Sequence, residues 1–219
     1  MTTAQHSLAQ ELAATKASVL PHIPEDSQQV MAQATADLQA SGIIDRILKV
    51  GDRLPDITLP NVHREPVRIQ TLLENGPVII TFYRGEWCPY CNIELRALQQ
   101  YLPDFKAAGA TLVAISPQTP DNSLSTTEKN NLEYEVLSDI GNGVARELGL
   151  VFTLPETLRP IYENFGIDVP AQNGDRTFEL PGPATYVVAP SGEVVYAFAE
   201  ADYTQRAEPS DILSAVKAI

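Results

Sequence analysis

One segment constrains the fold more than any other. Val78-Ile79-Ile80-Thr81-Phe82-Tyr83 is a six-residue β-prone run, and after a four-residue loop it meets Cys88-Pro89-Tyr90-Cys91. The residues that follow place Leu95, Leu98, Leu102 and Phe105 on one helical face. A strand this apolar is buried inside a sheet, and the helix behind it must lay its stripe on that sheet. The cysteines therefore sit where a buried strand hands over to a helix.

That junction has chemical consequences. Pro89 suits the first helical turn, where a missing N–H costs little. Cys88 then lies at the mouth of the helix, where free N–H groups and the helix dipole stabilise a thiolate. The thiolate is the reactive form of cysteine. Cys91 follows within one turn, close enough to attack a mixed disulfide or a sulfenic acid on Cys88, or the reverse. Zinc is not expected: a Cys-x-x-Cys pair needs two further ligands, no third cysteine exists, and His6, His22 and His63 are scattered.

Composition narrows the class. A 44% hydrophobic content is enough for a core without covalent staples. Two cysteines so close together cannot cross-link distant elements, which in a reducing compartment favours catalysis. The net charge of −13 argues against nucleic acid or anionic membrane as partner. No basic, apolar leader opens the sequence, and no run approaches the roughly 20 apolar residues of a membrane helix, so the expected compartment is the cytoplasm.

Residues 1–48 read as a helical extension broken around His22–Ser27, either packed on the main domain or serving as an arm for a homodimer. Residues 49–219 read as one α/β domain. Strands are expected at 78–83, 111–115, 134–137, 184–188 and 194–198, the last two joined through Pro190-Ser191-Gly192. Helices are expected at 90–102, 120–131, 142–149, 158–165 and 209–218. Strands alternating with helices and ending in a hairpin predict a mixed central sheet flanked by helices. Tyr162 and Phe165 are expected in the core.

Two family patterns meet at the cysteine pair. Trp87-Cys88-Pro89-Tyr90-Cys91 resembles the active site of the thioredoxin superfamily, with the Pro-Tyr of glutaredoxins. Gly51–Pro60, Ile115-Ser116-Pro117 and Val136-Leu137-Ser138-Asp139 resemble landmarks of peroxiredoxins of the alkyl hydroperoxide reductase and thiol-specific antioxidant family. The resemblance covers residues 48–219 and implies a thioredoxin-like fold. It also implies a thiol-dependent peroxidase that acts on hydrogen peroxide or organic hydroperoxides and needs no cofactor. A thioredoxin- or glutathione-type reductant would recycle the pair. The alternatives are a thiol–disulfide oxidoreductase and a non-catalytic redox sensor.

The two templates assign the cysteines differently. The thioredoxin pattern makes Cys88 the nucleophile; ungapped alignment to the peroxiredoxin pattern puts the peroxide-attacking position at Cys91, followed by Glu94-Leu95. Pro183 occupies the place of the thioredoxin cis-proline, and also the place of the arginine that peroxiredoxins carry before a later strand. Arg84 is the candidate replacement guanidinium. Glu86 and Glu94 are candidate proton-transfer groups, although surface positions are expected for both, and Trp87 is expected to shape the docking surface.

Overall fold

The computed structural model describes residues 7–219; His6, with the first part of the expected helical extension, lies outside them. The chain opens with α1 (Leu8–Val19), a short 3-10 turn at Leu20–His22, and α2 (Glu25–Ala40). Ser7 caps α1 in a reciprocal capping box with Gln10. Gly42, with φ +67°, turns the chain out of α2. A two-stranded ribbon, β1 (Thr58–Pro60) and β2 (Pro66–Arg68), leads through α3 (Ile69–Leu73) to the central sheet.

That sheet is built from β3 (Val78–Phe82), β4 (Thr111–Ser116), β5 (Glu135–Ser138), β8 (Ala184–Val188) and β9 (Val194–Ala199), in the order β5-β4-β3-β8-β9. β3, β4 and β5 run parallel, whereas β8 pairs antiparallel with both β3 and β9. The crossovers are α4 (Pro89–Ala107) and α5 (Pro120–Asn130), and α6 (Gly143–Glu147) follows β5. A second ribbon, β6 (Val151–Thr153) with β7 (Glu179–Pro181), encloses α7 (Arg159–Asn164) and α8 (Val169–Asn173); α9 (Pro209–Lys217) ends the chain.

Every residue of β3 is buried, and its side chains alternate between two cores. Ile79 and Tyr83 face α4, α9 and the first turns of α1, while Val78, Ile80 and Phe82 face the layer of α3 and α6. Thr81 points to the α4 side as the polar member of that alternation.

α4 runs five residues past its expected end, through Pro103 to Ala107. Proline removes one helical hydrogen bond, yet Leu102 and the fully buried Phe105 continue the apolar stripe across it. β1 falls at the end of the Gly51–Pro60 stretch that resembles the family's opening strand, whereas its partner β2, the second ribbon, α3 and α8 were not anticipated. They are three to five residues long, too short for periodicity to register. Phe165 corrects another expectation. It follows the last residue of α7 and is 43% exposed rather than core, while Tyr162 is buried.

Candidate active site

Cys88 is the N-cap of α4, with extended backbone (φ −89°, ψ 113°) and Pro89 in the first helical turn. The loop from β3 is closed by Gly85, whose carbonyl accepts the Cys88 N–H at 3.1 Å. Gly85 has φ +152°, and a Cβ there would lie 2.4 Å from Trp87 Nε1. Asn92 ties the loop to the helix by donating from Nδ2 to the carbonyls of Glu86 (2.6 Å) and Cys88 (3.0 Å). Both cysteines are free thiols and 0% exposed.

Each sulfur has its own arginine. Arg84, buried in the same loop, donates from Nη2 to Cys88 Sγ at 3.3 Å and from Nη1 to Tyr162 Oη at 2.9 Å. Its guanidinium lies 4.2 Å from the Tyr203 ring centroid and 5.0 Å from that of Trp87. Aromatic faces of this kind hold a desolvated cation. Arg206, from the loop between β9 and α9, donates from Nη2 to Cys91 Sγ at 3.3 Å. Its Nε donates to Glu94 Oε2 at 2.5 Å, and Glu94 Oε1 accepts from Thr81 at 3.2 Å. Cys91 and Glu94 are three residues apart on α4, so both meet Arg206 on one helix face.

The two thiols are driven apart in acidity. Burial opposes a thiolate at Cys88, but the hydrogen bond from Cys91 and the charges of Arg84 and Arg206 outweigh it and hold Cys88 well below the usual thiol value. Burial, the hydrogen bond to Cys88 and the Cys88 charge push Cys91 well above it, against the pull of both arginines. Burial also raises Glu94, countered by Arg206 and Thr81. Both shifts favour charge on Cys88 over charge on Cys91.

Several sequence expectations need correcting. Glu94 is not on the surface; it is 1% exposed and ion-paired with Arg206. Glu86 is half-buried and pairs with Lys129 at 3.1 Å. The bond before Pro183 is trans, since no cis peptide occurs among the described residues. Pro183 shares a cavity with Arg84 and makes no hydrogen bond to either cysteine. Trp87 packs edge-on against Tyr162 with ring centroids 5.6 Å apart. Arg206 and Tyr203 escaped the sequence reading altogether, because both lie in a loop without a motif and reach the site only through the fold. Among the described residues, no group of three His, Cys, Asp or Glu side chains is placed to hold a metal.

Comparison with known proteins identifies the family and the fold. The AhpC/TSA family profile matches residues 50–197. Chloroplastic peroxiredoxin Q of Sedum lineare is 31% identical over 134 residues, covering 61% of this chain and 70% of its own. The crystal structure of peroxidoxin BcpB from Mycobacterium tuberculosis superposes with a TM-score of 0.62 at 23% identity, covering 78% of this chain and 98% of its own. The bacterioferritin comigratory protein of Xanthomonas campestris gives 0.60 at 17% identity, with 78% and 98% covered. The chain belongs to the AhpC/TSA family and is an oxidoreductase of the peroxiredoxin type on a thioredoxin-like fold.

Proposed function

We propose that this chain is a thiol-dependent peroxidase in which Cys88 attacks a hydroperoxide and Cys91 resolves the product. The observation that carries the reading is the Arg84–Cys88 contact, in a site whose charges pull the Cys88 thiol down in pKa while burial and the Cys88 charge push Cys91 up. The Cys88 sulfur bonds to the terminal oxygen of R–O–O–H as the O–O bond breaks. Cys88 becomes a sulfenic acid, and the leaving R–O⁻ takes a proton to give R–OH. Arg84 lies beside the sulfur, where a fixed cation stabilises charge on the departing oxygen. Cys91, as thiolate, then attacks the sulfenic sulfur. A Cys88–Cys91 disulfide forms, and the hydroxide released takes a proton to become water. Two electrons from a thioredoxin- or glutathione-type thiol restore the dithiol.

A disulfide oxidoreductase needs a sulfur that a substrate chain can reach. Cys88 is 0% exposed and is reached only through a cavity that Trp87 and Tyr203 also line, which favours a small peroxide over a protein disulfide. A dithiol reset by such thiols fits the reducing cytoplasm. The same reading takes residues 1–48 as an extension of a catalytic unit spanning 49–219.

Stopped-flow mixing of the reduced protein with peroxide, followed through the fluorescence of the single tryptophan, tests this. A second-order rate well above that of a free low-molecular-weight thiol is expected. With dimedone as trap, Cys91→Ser should accumulate sulfenic acid and Cys88→Ser should not. A rate no faster than the free thiol refutes the peroxidase, and the reverse labelling pattern reverses the assignment of the cysteines.

A further inference from the structure

The family match begins at residue 50 and does not cover the helices before it. They are built into the site. The Glu208 carboxylate accepts from the amides of Leu8 (3.1 Å) and Ala9 (2.8 Å), which fixes the start of α1, and Leu8 and Leu12 are buried in the core shared with α4. At the other end, Val30, Met31 and Ala34 of α2 pack on the cluster around Leu154, Leu158 and Tyr162. The turn between these anchor points passes over the mouth of the cysteine site.

A cavity of about 360 Å³ lies beneath it. Val19, Ile23 and Met31 form one wall and Trp87, Tyr162 and Phe165 the other, with Cys88 and Arg84 also lining it. No carboxylate lines the cavity, and Cys91 does not reach it. A water molecule accounts for about 30 Å³ of liquid volume, so the space exceeds the needs of hydrogen peroxide several-fold. Arg84 also keeps a reserve: its Nε is buried without a hydrogen-bond partner although Nη1 and Nη2 are engaged. Buried donors of this kind are normally satisfied by protein or ordered water, so Arg84 has one hydrogen bond still to give.

We propose that the segment from Val19 to Met31 is a specificity wall that receives the apolar substituent of an organic hydroperoxide. The substituent lies between the wall and the aromatic side chains, with its O–O group directed at Cys88 Sγ beside the Arg84 guanidinium. This deepens the peroxidase reading above and rests on it. Sulfur bonds to the terminal oxygen, the O–O bond breaks, and two electrons pass from sulfur to the peroxide. R–O⁻ departs within the cavity beside Arg84 and is protonated to R–OH. Hydrogen peroxide reacts by the same step but leaves the wall unused.

The test compares cumene hydroperoxide with hydrogen peroxide in the full chain and in Ile23→Ser and Met31→Ser. Both residues are half-buried, so the variants are expected to stay folded. Cumene hydroperoxide should react faster than hydrogen peroxide in the parent protein. The ratio of the two second-order rates should fall at least roughly tenfold in each variant, the scale on which an apolar pocket responds to a lost methylene. Cumyl alcohol, the non-reactive product, should bind Cys88→Ser and quench Trp87, and binding should weaken when Met31→Ser is added. A parent protein that takes both peroxides equally fast, or a ratio unmoved in both variants, overturns the wall. A parent protein slow with both peroxides overturns the peroxidase reading itself.

Discussion

Glu94 and Arg206 are 112 residues apart in sequence, yet their side chains meet at 2.5 Å with each 1% exposed. This pair joins the helix that carries Cys91 to the loop in front of α9. Through Thr81 it also reaches the central strand. Cys91 thus sits under a guanidinium that is itself held in place by a buried carboxylate.

Neutralising one partner should therefore be costly. Glu94→Gln leaves the Arg206 charge buried without its counter-ion, and removing one member of such a pair costs about 3–5 kcal/mol. Urea unfolding of the reduced variant should show a loss of that order. A loss below about 1 kcal/mol would mean that the carbonyls of Tyr203 and Gln205, which also accept from Arg206, suffice.

The acidity of Cys88 should be visible in its alkylation. In Cys91→Ser, the pH midpoint for iodoacetamide modification of Cys88 should stay well below the ordinary thiol value of 9.0, and Arg84→Met should move it upward. Loss of one such charge donor should also slow sulfenic acid formation about 100-fold or more. A midpoint indifferent to Arg84 would remove the electrostatic basis of the site.

The same shift links stability to pH. A thiol whose folded pKa is depressed contributes stability that is complete above its unfolded value and is lost as pH falls through the folded one. The stability of the reduced parent protein, measured relative to Cys88→Ser, should therefore rise with pH up to about 9 and fall toward acid. Denaturant titrations of the two proteins across that window give the difference directly. A flat difference contradicts the thiolate assignment.

Gly85→Ala probes the loop itself. Its φ of +152° strains any L side chain, and the added methyl would meet Trp87 Nε1 at 2.4 Å. A stability loss of about 1–3 kcal/mol is expected. The emission of Trp87 should shift as the indole is displaced. Unchanged emission would place the strain elsewhere.

Much of this architecture was legible in the sequence because its strands are long and apolar. Val78–Phe82 and Ala184–Val188 are buried throughout, and such runs need no partner to be recognised. The strand–cysteine–helix junction was visible for the same local reason. Glu94 was not: on a helix rich in polar residues nothing distinguishes a buried carboxylate until its counter-ion is known. Arg206 supplies that counter-ion from across the chain. Two guanidiniums from separate loops, Arg84 and Arg206, thus reach the two sulfurs, and only the first lies in the motif itself.

The two arginines also bear on the energy of electron flow through the pair. They hold the reduced form by stabilising a thiolate, and a disulfide offers them no negative sulfur in return. Stabilising the dithiol state raises the midpoint potential of the couple, by about 30 mV for each 1.4 kcal/mol. The contacts that ready Cys88 for attack would thus make the oxidised enzyme an eager electron acceptor, tilting the cycle toward rapid reloading by its reductant.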